Sequence, residues 1–391
     1  MKKVISSERI PIKMWLDDIK DGALQQAKNL ANAPFTYRHI VVCPDAHQGE
    51  GPFIGAVFAT KDVVVINGAG VDIGCGVAFV ETSLKREDLD ISILKNIMGA
   101  IRKNIPVGFD KHTQIIEGLE MPTTDINKDT HPVISKEFKK AQLSLMTLGG
   151  GNHFEEIQVN SAGYVCFMIH SGSRNLGKQV ADHYNKIAKK LNEDCYSSVP
   201  SSHKLHFIPI KYDEAKLYLN EMNYCLEYAH LNREYMINNI KNVFLSFFPD
   251  LTFTPTLNVH HNYIRWEHFS GEDFLIHRKG ATSARLEELG IVPGSQGTAS
   301  FLTKGKGNAD SFNSCSHGSG RTMSRTRAKA ELDLEKEKKI LDDQGIIHSI
   351  RNVSDLDEAP SSYKDVEVVM ENQKDLVDIV DRLTPLGVVK G

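Results

Sequence analysis

Residues 70–79 read GVDIGCGVAF. A cysteine stands between two glycines, three residues after an aspartate and at the head of an apolar run. That run, VAFVET, is short and bounded by Gly-rich text, which predicts a strand. The glycines let the preceding backbone turn tightly or approach a ligand closely. Asp72 and Cys75, at i and i+3, can then face one point, and carboxylate and thiolate are both metal ligands. The stretch by itself leaves open whether Cys75 is packed, oxidised or bound to an ion.

The same texture extends outward. From Arg38 to Thr82 the runs HIVVC, GAVFAT, DVVVI and VAFVET alternate with Gly- and Asp-rich turns and read as strands. REDLDISILKNIMGAIRKNI has helical spacing, and YVCFMIH (164–170) is a strand that enters a loop and then a helix. Residues 213–247 predict one long helix or two end to end. Residues 256–321 return to strands and loops, and a charged helix is expected over 326–342. Strands and helices mix without regular βαβ alternation, so the expected class is α+β, a single large elaborated domain over residues 1–391.

Bulk properties narrow the partners. With 41% hydrophobic and 25% charged residues, the 391-residue chain has ordinary globular composition. A net charge of −4 advertises no nucleic-acid surface, so any anion site must be a local gathering of Lys and Arg. No segment approaches the roughly 18 apolar residues of a membrane span. The start, MKKVISSERIPIKMW, lacks the apolar core of a secretory signal, and the expected location is cytoplasmic. The 6 cysteines form no CxxC pair and read as free thiols in a reducing compartment.

Polar, glycine-rich islands recur at the ends of apolar runs: CPDAHQGEG (43–51), GVDIGCG (70–76), LGGGNHFEE (148–156), MIHSGSR (168–174), NVHHNY (258–263), IHRKGAT (276–282), VPGSQGTAS (292–300) and SCSHGSGR (314–321). A lone histidine or Gly cluster is ordinary, whereas a set that also carries Asp, Asn, Cys, Arg and Ser points to chemistry. Besides Asp72 and Cys75, the natural metal donors are His153, His170 and one of His260 and His261. Thiolate, carboxylate and imidazole together suit Zn²⁺, Mn²⁺ or Fe²⁺ and exclude Ca²⁺ or Mg²⁺ as sole occupant.

GSRNLGKQ (172–179) almost spells a phosphate-binding P-loop, but Gln179 replaces the Mg²⁺-binding hydroxyl. LGGGNH, PGSQGTAS and HGSGR remain anion cradles, because glycines expose backbone N–H groups. Arg174, Arg278, Lys279, Lys304, Lys306 and Arg321 lie within or near these islands. His317, with Arg321 four residues on, suits an imidazole that attacks or holds phosphorus while the arginine neutralises its oxygens.

The series PIKMW, PDAHQGEG, GVDIGCG, GGGNHFEE, HSGSR, HHNY, HRKGA, PGSQG, SHGSGR, AP..YKD and the final KG resembles, in order and over nearly the whole chain, the RtcB family of tRNA-splicing and RNA-repair ligases. The resemblance implies an enzyme that joins an RNA 3′-phosphate or 2′,3′-cyclic phosphate to a 5′-hydroxyl with GTP and two Mn²⁺ ions. It implies a central dinuclear pocket of Asp72, Cys75, His153, His170 and His261, in which Cys75 bridges the ions. One ion would add His153, and the other His170 and His261. His317 would take GMP from GTP as a phosphoramidate. Guanylate contacts are implied for Asn152, His153, Phe154, Glu155, Glu156, His261, Asn262, the turn Pro293, Gly294, Ser295, Gln296, then Ser300, Gly318, Ser319, Gly320 and Lys390, with Tyr363 a further candidate against the base.

Three readings compete with a ligase: a metal phosphodiesterase or phosphatase at the same site, a P-loop NTPase, and a non-enzymatic RNA-binding module. His317 and Lys390 argue against the first, Gln179 against the second and the ligand-rich islands against the third. Cys43, Glu50, Gln296 and Ser319 depart from the family's common residues without removing a ligand or the nucleophile. A monomer, with a possible activating protein partner, is the expected state.

Overall fold

The computed structural model describes residues 1–391. Two sheets organise the fold. The six-stranded sheet runs Lys3–Ile5, Ile12–Met14, Tyr37–His47, Ile54–Thr60, Glu272–Lys279, Asn262–Phe269. The seven-stranded sheet runs Leu257–His260, Gly76–Lys85, Tyr164–Ser171, Phe154–Val159, Val377–Lys390, Ser300–Gly305, Leu289–Val292. All pairings within them are antiparallel except that of Ile12–Met14 with Tyr37–His47. The mixed α+β architecture matches the irregular strand and helix order of the sequence.

Register explains how distant islands meet. Gly76 pairs with Ser171 and Val77 with His170, while His170 pairs on its other side with Phe154, and Phe154 with Lys390. Neighbouring strands lie about 4.8 Å apart, so Cys75, His153, His170 and Lys390 converge at one end of the sheet. The chain then leaves this sheet at His260 and enters the other at Asn262. His261 is the single residue between the two strands, at the junction of the sheets.

Helices cover the apolar faces. Asp213–Phe247 is one continuous helix of 35 residues, which settles the choice between one helix and two. Its apolar residues join two core clusters, one with the Leu176–Asp194 helix and one with Ile91–Asn104. The Asp90 carboxylate caps Ile91–Asn104 by accepting from the Ser92 and Ile93 amides. No helix is long and apolar enough to cross a membrane.

One segment differs from expectation. The charged stretch forms two helices, Arg325–Glu331 and Leu334–Asp342, because Asp333 caps the second by accepting from the Lys336 amide. The last residues form the strand Val377–Lys390 inside the seven-stranded sheet. Its register shifts between Pro385 and Gly387, where proline lacks the ladder donor.

Candidate functional site

Cys75 Sγ lies 3.4 Å from His153 Nε2 and 3.2 Å from His170 Nε2. His170 Nε2 is 3.4 Å from His261 Nε2, and His153 Nε2 is 3.2 Å from Asp72 Oδ2. Donors bound to a common ion at about 2.0–2.3 Å sit this far apart. The other ring nitrogens are committed: His153 Nδ1 donates to the Leu148 carbonyl at 3.0 Å and His170 Nδ1 to that of Asn152 at 3.1 Å. Both Nε2 lone pairs therefore face inward, as a cation requires. Burial and then the Asp72 charge push the Cys75 thiol far up, so a thiolate here needs a cation beside it.

Of the histidine pair, His261 faces the cluster, while His260 Nδ1 contacts Arg233 Nη2 at 3.1 Å. The His261 ring meets the His317 ring edge-on, centroids 4.8 Å apart, so the imidazole of SHGSGR adjoins the donor cluster. His317 Nδ1 is 2.6 Å from Oδ2 of Asp45, which is wholly buried. Burial would raise the Asp45 carboxyl, but the His317 charge and hydrogen bond hold it below its usual value. Gly280 permits the approach: a Cβ there would lie 3.1 Å from His317 Cε1 and 2.4 Å from Ile54.

Beside His317 opens a cavity of about 630 Å³, large enough for a nucleotide. Its wall includes Asn152, Phe154 and Glu156 from one strand end, the Pro293–Gln296 turn, the Gly318–Gly320 loop, His170 and Lys390. Burial pushes the Glu156 carboxyl up to about 8, against a hydrogen bond from Gln158 and the charge of Lys390. One buried carboxylate, Glu358, gathers the cations of this wall. It accepts from Lys390 Nζ at 3.1 Å, Arg321 Nη1 at 3.1 Å and Arg325 Nε at 3.0 Å, and from the Tyr363 hydroxyl. Burial opposes its ionisation, yet Lys390, Arg325, Tyr363 and Arg321 pull its carboxyl down to about 2.

Not every expected residue reaches the cavity wall. Glu155 points to the opposite face of its strand, where both carboxylate oxygens are buried without partners and burial pushes it up to about 8. Asn262 braces the site instead, donating to the Asp72 carbonyl at 3.0 Å and accepting from the Gly280 amide at 2.8 Å. Ser300 accepts from Gln158 Nε2 at 3.2 Å, and Gln158 in turn donates to Glu156. Arg278 is buried against Glu267, and Lys279 donates to the Glu50 and Pro52 carbonyls. Lys304 and Lys306 form surface pairs with Glu287 and Asp378. Glu50 pairs with Lys204 at an exposed position. Asp45, Glu358 and Arg325 are the site residues the sequence did not single out; Asp45 lay in plain view in CPDAHQGEG, but its partner is 272 residues away.

A family model described as "tRNA-splicing ligase RtcB" matches residues 26–124 and 119–391. The chain is 33% identical to the RNA-splicing ligase RtcB of Escherichia coli K12 over 100% of its own length and 99% of the relative's. It is 28% identical to the tRNA-splicing ligase RtcB of Thermococcus kodakarensis, over 98% and 95%. It is 30% identical to RNA-splicing ligase RtcB homolog 2 of Entamoeba dispar, over 95% and 84%.

Proposed function

Since this chain belongs to the RtcB family, we propose that it is an RNA ligase that seals a 3′-phosphate or 2′,3′-cyclic phosphate end to a 5′-hydroxyl end with GTP and Mn²⁺, residues 1–391 acting as one unit. The observation that carries the reading is the adjacency of the Asp45–His317 pair to the Cys75, His153 and His170 donors, at one cavity of nucleotide size. A ligase of this chemistry needs both a cation site and a separate nucleophilic nitrogen.

Asp72, Cys75, His153, His170 and His261 would hold two manganese ions, which would supply positive charge against phosphate oxygens and a Lewis acid for opening a cyclic end. Asp45 accepts a hydrogen bond from the Nδ1–H of His317, which keeps the ring proton on Nδ1 and leaves Nε2 with its lone pair. That nitrogen attacks the α-phosphorus of GTP, a P–N bond forms and pyrophosphate departs. The RNA 3′-phosphate then takes the guanylyl group, restoring His317 and giving an RNA-ppG end. The 5′-hydroxyl displaces GMP and completes the phosphodiester. Lys390 and Glu156, which line the cavity, would read the guanine, and Tyr363 would pack beside it. The 6 free cysteines suit a reducing, cytoplasmic setting, in which Cys75 stays available as a ligand.

The test is an RNA pair with 3′-phosphate and 5′-hydroxyl ends, incubated with the protein, GTP and Mn²⁺. Joined product that depends on both additions is expected. Phosphate release or ring opening without joining, with or without GTP, would instead favour the phosphodiesterase reading.

A further inference from the structure

Arg233 lies in the Asp213–Phe247 helix and is 0% exposed. Its Nη1 donates to the Gly74 carbonyl at 3.0 Å and to the Ser171 carbonyl at 2.9 Å. Its Nη2 meets His260 Nδ1 at 3.1 Å, and its Nε donates to Asn258 Oδ1 at 2.7 Å. Gly74 precedes Cys75, Ser171 follows His170, and His260 precedes His261. One planar guanidinium thus touches the chain one residue away from three of the donors.

All four acceptors are neutral. A buried arginine ordinarily has a carboxylate partner, as Arg278 has Glu267. The packing around it is also specific. A Cβ on Gly76 would strike the Val259 carbonyl at 2.1 Å and lie 3.0 Å from Arg233 Cζ, so the last glycine of GVDIGCG lets both the neighbouring strand and the guanidinium come close.

We propose that Arg233 is a positioning residue of the metal site: its fork ties the Cys75, His170 and His261 segments into one geometry. This rests on the reading of Asp72, Cys75 and the three histidines as a metal site. Arginine is needed because five donors in one plane reach three segments, whereas a lysine ammonium has three donors at a single point.

The test is Mn²⁺ affinity, read from free Mn²⁺ by electron paramagnetic resonance during titration of the full chain, with thermal unfolding alongside. Arg233→Lys is expected to weaken Mn²⁺ binding by roughly 10- to 100-fold, the usual cost of losing a group that orients metal ligands. Arg278→Lys, at an equally buried arginine bonded to Glu267, Ser314 and Phe312, is expected to lower stability while leaving Mn²⁺ affinity at the wild-type value. Wild-type affinity in Arg233→Lys overturns the proposal, and so does an equal loss in Arg278→Lys, which would signify general loosening. If Arg233→Lys does not fold, Asn258→Ala removes the Nε contact and leaves the other three Arg233 contacts in place, at the cost of the Asn258 bonds to the His230 carbonyl and Glu234. A loss of about tenfold or more, the worth of one hydrogen bond to a charge, then supports the proposal, and no loss overturns it. Cys75→Ala separates the two levels: wild-type Mn²⁺ binding in that variant would mean that the metal-site reading itself has failed.

Discussion

His317 and Asp45 are joined twice: Oδ2 of the carboxylate takes the imidazole Nδ1 at 2.6 Å and the His317 backbone N–H at 3.1 Å. The second bond fixes the strand end from which the ring projects, and the first fixes which nitrogen carries the proton. An imidazole held in this way offers Nε2 as its only lone pair.

Asp45→Asn tests that assignment. The amide NH₂ can turn toward Nδ1 and donate to it, which moves the ring proton to Nε2 and removes the nucleophile. Guanylylation is expected to slow by about 10²- to 10⁴-fold, while Mn²⁺ content stays as in the wild type. Loss of metal together with activity would show that Asp45 serves the donor cluster instead.

Cys75→Ala is expected to lose bound manganese and every chemical step, because the thiolate is shared by the two ions in this account. Metal analysis after gel filtration is the measurement. A variant that retains two Mn²⁺ per chain contradicts the bridging role.

Lys390 reaches the cavity from the last strand, next to Phe154, and its ammonium is held by Glu358. Lys390→Ala is expected to weaken GTP-dependent guanylylation by about 10- to 100-fold, the worth of a charged hydrogen bond, with metal content unchanged. Full guanylylation by the variant would leave Lys390 a structural cation for Glu358.

Glu358 gives a pH prediction for stability. Its folded carboxyl is pulled from 4.5 to about 2, so the stabilisation is complete above the unfolded value and is lost as pH falls from about 4.5 toward 2. A shift of that size corresponds to about 3 kcal/mol. Glu358→Gln is expected to cost that order of stability at pH 7, with the gap to wild type narrowing below pH 4.5 in urea unfolding. A gap that stays constant down to pH 3 would mean that the carboxylate charge is not what stabilises the cluster.

Much of the site was legible because the ligand-bearing text is local. GVDIGCG shows its turn and its two donors within seven residues, and the paired histidines of NVHHNY divide as strand-end geometry requires, with His261 toward the cluster and His260 toward Arg233. Strand alternation held information that went unused: Phe154 and Glu156 share a face of their strand, so Glu155 belonged on the other. Asp45, Glu358 and Arg233 were illegible for a different reason. Their partners lie far off in sequence, and an Asp, a Glu or an Arg in a polar stretch carries no mark of what it will meet.

Incubation of the purified protein with GTP labelled at the α-phosphate and Mn²⁺ tests the central claim most directly. Label should appear on the chain as an acid-labile, base-stable adduct, and His317→Ala should abolish it while manganese remains bound. Label that persists in His317→Ala would place the nucleotide on another residue and contradict the account.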